Sequence, residues 1–213
     1  MGLSEGDAER LQQTLAAVSD VTSGARWGAL EQLRYFCEGA HPALLEAIAA
    51  KRFATLPALL RLLADVEACG GPLAVRSQPE EARVPTGSVL QLLESLLCNA
   101  TNNLKPFLKN AEGVRLLLAI VSHQEELVHD VEQASLIPAS DGLTLLDRAS
   151  NVLCYCAFHH PELTASQLVA NNGVAIVCRL LQLAYAHYMR TLARPGTALP
   201  SRPPPQADSI HRM

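Results

Sequence analysis

A recurrence of sixty residues constrains this chain more than any other feature. Ile48, Leu108 and Leu168 are spaced by that interval, and each ends a short segment that turns from polar to apolar. Ala54, Val114 and Val174 come six residues later, Leu56, Leu116 and Ile176 eight later, and Leu60, Ile120 and Leu180 twelve later. The match is closest between Leu108-Lys-Asn-Ala-Glu-Gly-Val114 and Leu168-Val-Ala-Asn-Asn-Gly-Val174. A cysteine-bearing run precedes each unit: Arg34-Tyr-Phe-Cys37, Leu96-Leu-Cys-Asn-Ala100 and Leu153-Cys-Tyr-Cys-Ala157. Self-similarity at a fixed period describes stacked units, each of which buries its apolar face only against its neighbours.

The units are helical. Leu and Ala dominate a chain of 213 residues that is 49% hydrophobic and only 4% aromatic. Both lose little freedom in a helix, whereas the β-branched residues that favour strands are scarce. The composition predicts an all-α fold and nearly excludes a sheet protein. Residues 1–24 form a leading helical segment, 25–188 the repeat domain, and 189–213 a Pro-rich tail expected to be extended and disordered.

Within that frame, Ser4 caps a helix over 4–20 carrying Leu11, Leu15 and Val18 on one stripe. Helices follow from Trp27 to Gly39, from Pro42 to Ala50 and from Phe53 to Val66. Between Gly70 and Gly87 the pattern collapses into Gly, Pro and polar residues, which predicts a long surface loop. Helical spacing resumes over Ser88–Ala100, around Pro106–Asn110 and over Val114–Val121. Residues 122–147 hold six acids and no Lys or Arg; Gln124–Ala134 reads as an exposed helix and Pro138–Gly142 as a turn. The third unit starts near Leu143, turns at His160-Pro161, and has helices at Glu162–Ala170 and Gly173–Tyr188.

The order of a long helix ending Leu-Cys-Asn-Ala, a polar turn, Leu-x-x-x-x-Gly-Val and a Leu-rich helix resembles the armadillo repeat. It is clearest over 89–121 and 145–183, weaker over 27–63, and covers about half of the chain. The resemblance implies a right-handed α-solenoid of about three armadillo-like repeats, with 70–87 and 122–143 inserted between them. It further implies a non-catalytic scaffold that binds a protein or peptide partner in a concave groove, as part of a larger complex. Ser95 and Asn99, with Arg148, Val152 and Cys156 on the next unit, are the expected partner-binding residues. Asn99 falls where the family places an asparagine that clamps peptide backbone; Cys156 stands at the matching position of the third unit and Glu38 near that of the first. Ser95 occupies the family's usual tryptophan position, and the repeated asparagine ladder of nuclear-import receptors is absent. An armadillo-like regulator, such as a guanine-nucleotide exchange factor or co-chaperone, is the alternative implied.

No residue pattern points to an enzyme. The chain has no Gly-x-Gly-x-x-Gly, Walker loop or Gly-x-Ser-x-Gly, and no local signature identifies a cysteine with a histidine base and a third group to orient it. Cys154, Cys156, His159 and His160 form the one dense cluster of zinc-ligand types. On a helix, however, Cys154 and Cys156 lie about 200° apart, and only Cys156 and His160 share a face. No metal or other cofactor is therefore expected. A net charge of −4 argues against nucleic acid, and the lack of a long apolar run argues against a membrane span. An acidic N-terminal region without a signal-peptide core, together with cysteines placed in Leu-rich helical runs, predicts a cytoplasmic protein with reduced, buried thiols; a nuclear location is compatible. The acidic stretch Glu125–Asp147 is either a solvated face or a dock for a basic partner, and Pro200–Pro205 either a plain tail or a ligand for a proline-binding domain.

Overall fold

The computed structural model describes residues 4–20, 25–76, 84–123 and 141–192, and every regular element among them is helical. In chain order these are α1 (Glu5–Ser19), α2 (Arg26–Cys37), α3 (Pro42–Ala49), α4 (Thr55–Ala68), α5 (Pro72–Arg76) and α6 (Thr86–Cys98). Next come α7 (Leu104–Lys109), α8 (Ala111–Ser122), α9 (Asp141–His159), α10 (Pro161–Ala170) and α11 (Gly173–Leu192). Short 3-10 turns at Lys51–Phe53 and Thr101–Asn103 lead into α4 and α7.

The helix boundaries follow from local chemistry. Ser4 Oγ accepts from the Asp7 amide at 3.2 Å and donates to the Asp7 carboxylate at 2.6 Å, which satisfies one of the free N–H groups of α1. His41 Nδ1 accepts from the Ala43 amide, and Pro42 takes the first position of α3, where its missing N–H costs nothing. Asn110 caps α8 by accepting from the Glu112 amide. Asn172, in the left-handed region at φ 54°, turns the chain into α11.

Helices at equivalent places in the sixty-residue units pack on one another. α6 lies between α2 and α9, and α8 lies between α4 and α11. α7 packs against α10, while α1 covers α2 and α4 at the N-terminal side. The apolar stripes meet in one continuous core that includes Leu30, Leu33, Leu59, Leu93, Leu96 and Leu117, each worth about 1.5–3 kcal/mol in burial. The glycines of the repeat do not make the turns themselves. A Cβ on Gly113 would come within 2.8 Å of the buried Phe107 ring, and one on Gly173 within 2.7 Å of Leu118 and Leu168. Both glycines sit in the first turn of a helix, where a Cβ would require the Phe107 ring in one case, and Leu118 and Leu168 in the other, to shift.

Several expectations need correction. The 70–87 segment is not simply a surface loop: it contains α5, and Val75 and Val84 are buried in the core. Asp141 and Gly142 belong to α9 rather than to a turn, and α11 continues to Leu192, four residues past Tyr188. Ile48 and Leu108 are buried as the repeat requires, but Leu168 is only partly so. Val114 is 0% exposed and its counterpart Val174 is 54% exposed. The cause is position in the stack: α8 is covered by α11, whereas no described helix covers the far side of α11. The expected helix at 124–134, most of the acidic stretch and the tail beyond 192 lie outside the described residues.

Candidate functional site

The face shared by α2, α6 and α9 collects the polar and aromatic groups that the core does not use. Between α2 and α6, Ser88 Oγ donates to Glu31 Oε1 at 2.8 Å, and the other Glu31 oxygen accepts from Arg34 Nε at 2.7 Å. The Arg34 guanidinium holds the Glu31 carboxyl below its usual range, against the opposing effect of partial burial, with Ser88 adding to the lowering. Between α6 and α9, the Glu94 carboxylate accepts from Arg148 Nη1 at 2.6 Å and from Asn151 Nδ2 at 3.0 Å. These bonds couple three helices in order across one surface. The Glu31–Arg34 pair is exposed and contributes little energy, whereas the Glu94–Arg148 pair is half-buried and ties α6 to α9.

Around this polar network stand side chains with no apolar neighbour to cover them. Tyr35 on α2 is 80% exposed and Phe158 on α9 is 83% exposed, while Phe36 and Tyr155 are exposed to a lesser degree. His159 lies against both Tyr155 and Phe158, with the Phe158 ring edge-on at 5.1 Å between centroids. At the α2 end, an open cleft of about 880 Å³ runs between α1 and α2, lined in part by Arg10, Thr14, Glu31, Arg34 and Tyr35. The exposed rings thus lie at the two ends of this face, Tyr155 and Phe158 beside His159 on α9 and Tyr35 in the cleft between α1 and α2.

The expected partner-binding residues divide. Asn99 is exposed at the C-cap of α6, and its amide makes no side-chain hydrogen bond among the described residues. Bridging between helices falls instead to Asn102, which donates to Glu46, and to buried Asn103, which donates to the Leu96 carbonyl at 2.8 Å. Ser95 is half-buried one turn before Asn99, and Arg148 is half-buried and committed to Glu94. Val152 and Cys156 are fully buried, so they line no surface.

The physical reason is a one-residue shift of register. Aligning the cysteine-containing runs equates Asn99 with Cys156. The buried rows are instead Leu96, Leu97 and Ala100 on α6 and Val152, Leu153 and Cys156 on α9, which places Tyr155 beside the Asn99 position and Asn151 beside Ser95. One residue is a rotation of about 100° on a helix, enough to turn a groove position into a core position. Tyr155, Phe158, Asn151 and Glu94 were therefore missed. The available signal was Tyr155 and Phe158 at i,i+3 on a helix whose leucines already supply a core stripe.

Burial governs the thiols. None of the six cysteines is in a disulfide; Cys37 and Cys156 are buried, whereas Cys154 and Cys178 are exposed, contrary to the expectation that all the helical cysteines lie inside. Burial pushes Cys37, Cys98 and Cys156 up to about 12, with Glu94 and Cys156 adding to the effect at Cys98. Cys154 and Cys156 point to opposite sides of α9, and no group of three or more potential metal ligands converges among the described residues. Among the same residues, no helix is long and apolar enough to cross a membrane. No protein family, curated protein or solved structure matches the chain.

Proposed function

We propose that the chain is a non-catalytic interaction module, an armadillo-like right-handed α-solenoid of three units that binds an extended protein segment along its α2–α6–α9 face. The units are α2–α4, α6–α8 and α9–α11, with α1 leading them. Supporting this reading, equivalent helices stack in sequence order and hydrogen bonds couple α2 to α6 and α6 to α9. One observation carries the function: on a face where Glu31 is paired with Arg34 and Glu94 with Arg148, the Asn99 amide and the Tyr35, Tyr155 and Phe158 rings remain open to solvent. An amide of that kind can both donate to and accept from a peptide backbone, and rings beside it cover apolar side chains of the ligand. Six cysteines of which none is in a disulfide support a reducing, cytoplasmic setting.

Selection of a random peptide library on the purified chain tests the proposal. Selected peptides should lose about tenfold in affinity with Asn99→Ala, as for one buried hydrogen bond, and more with Tyr155→Ala, while thermal stability stays unchanged. Peptides that bind both variants as well as they bind the original chain would show that the face is not the binding surface.

A further inference from the structure

We infer that the outer face of α11 is a self-association surface that pairs with α11 of a second copy in antiparallel orientation. The inference does not depend on the peptide-binding reading, because it concerns a different side of the molecule. Its basis is the repeat. On α8, Val114, Leu117, Leu118 and Val121 are buried, with Leu118 packed at the start of α11. The residues sixty positions on are Val174, Val177, Cys178 and Leu181, and on α11 Val174, Cys178 and Leu181 are exposed. Meanwhile Ile176 and Leu180 carry α11 onto the core from its other side. The set of positions that receives a helix on α8 is thus presented, uncovered, on α11.

That stripe runs from Val174 through Cys178 and Leu181 to Tyr185, with Leu181 63% and Tyr185 65% exposed. Its composition favours a copy of itself. Antiparallel pairing sets Val174 against Tyr185 of the second copy and Cys178 against Leu181 of the second copy, so a smaller side chain meets a larger one at every step. Arg179 is the sole charged residue from Gly173 to Ala186, so two such faces meet with little like-charge repulsion. At 1.5 Å per residue the stripe is about 17 Å long, a contact smaller than the roughly 1,200 Å² that most stable interfaces bury, so the dimer is expected to be weak, in the micromolar range or above. The opposite end of the stack differs. There α1 buries Leu11, Leu15 and Val18 and turns Glu5, Glu9, Arg10, Gln12 and Gln13 outward, a polar cap of the kind repeat proteins need at an end.

Sedimentation velocity from about 1 µM to about 300 µM, bracketing that range, tests the surface on the full chain. The expected result is a monomer–dimer equilibrium that Leu181→Glu shifts by at least 100-fold towards monomer, and Tyr185→Ser by a smaller factor. Both positions are exposed, so the variants should keep the helical circular dichroism of the parent. In a Cys154→Ser background, a bismaleimide spanning roughly the 8–10 Å between packed helices should link two copies through Cys178, whose thiols would lie about 4.5 Å apart along the axis. Cys178→Ser should abolish the link. A chain that stays monomeric at about 300 µM overturns the inference, and one that is monomeric with Cys178 protected from maleimide shows that another segment of the same chain covers the stripe. A dimer indifferent to Leu181→Glu overturns it as well.

Discussion

Replacing Val114 and Val174 separately by alanine measures how far the repeat is a repeat of packing as well as of sequence. Each change removes two methyl groups, worth about 1.6 kcal/mol when fully buried. At Val114, which has no exposure, a cavity of roughly 40 Å³ adds about 1 kcal/mol, and the better helix propensity of alanine returns about 0.5. The net loss is about 2 kcal/mol, or roughly 4–8 °C in melting temperature for a chain of this size. At Val174, 54% exposed, less than half of the transfer energy is at stake and any cavity opens to solvent. About 0.7 kcal/mol of lost burial is then nearly balanced by propensity, for a net change of about 0.2 kcal/mol. Urea unfolding at about 1 µM protein, below the micromolar range of the α11 contact, compares the two without that contact. Equal losses at the two positions would refute the reasoning, since they would show that Val174 is covered within a single chain.

Three further outcomes are expected. Asn103→Ala should lose about 2 kcal/mol in urea unfolding, because the Leu96 carbonyl, one of the last in α6, loses its partner; Asn103→Asp should lose more, since a carboxylate would then face a carbonyl. Native thiol titration at pH 8 should find Cys154 and Cys178 reacting first, while Cys37, Cys98 and Cys156, raised to about 12, are thiolate to only about one part in ten thousand and react on unfolding. Glu31 is lowered from 4.5 in the fold, so the stability it lends is present above about pH 4.5 and lost as pH falls through the lowered value; Arg34→Ala should therefore cost a small amount of stability at pH 7 and less as the pH falls below that value, as read by urea unfolding.

How much was legible in the residues depends on what each signal reports. Leucine spacing and caps such as Ser4, Pro42 and Asn110 act within one helix, so the helices and most of their ends could be read directly. Register between helices is a tertiary property. Cysteine, being small and apolar, serves equally well inside at Cys156 and outside at Cys154, so matching cysteines could not locate the buried row of α9. The short α5 was hidden because Gly70, Gly71 and Pro79 around it signal a break, while Val75 and Val84 are too few to show a period. Likewise Val114 and Val174 read alike, since a repeated residue says what it can pack against and not what is there to pack.

That last distinction separates the two surfaces by the chemistry they can support. On the α2–α6–α9 face Arg34 is paired with Glu31 within α2 and Arg148 with Glu94 between α9 and α6, so a ligand there meets an open amide and exposed rings rather than these ions. In the proposed function, recognition there would rest on backbone hydrogen bonds and aromatic cover, which suits an extended segment of varied sequence. The α11 stripe offers almost no polar group, so hydrogen bonds can supply it with neither register nor specificity, and only the alternation of small and large side chains can. Such a surface fits a helix that brings the reverse alternation, and an antiparallel copy of itself does so by symmetry. A segment suited to one of the two proposed surfaces therefore lacks what the other requires.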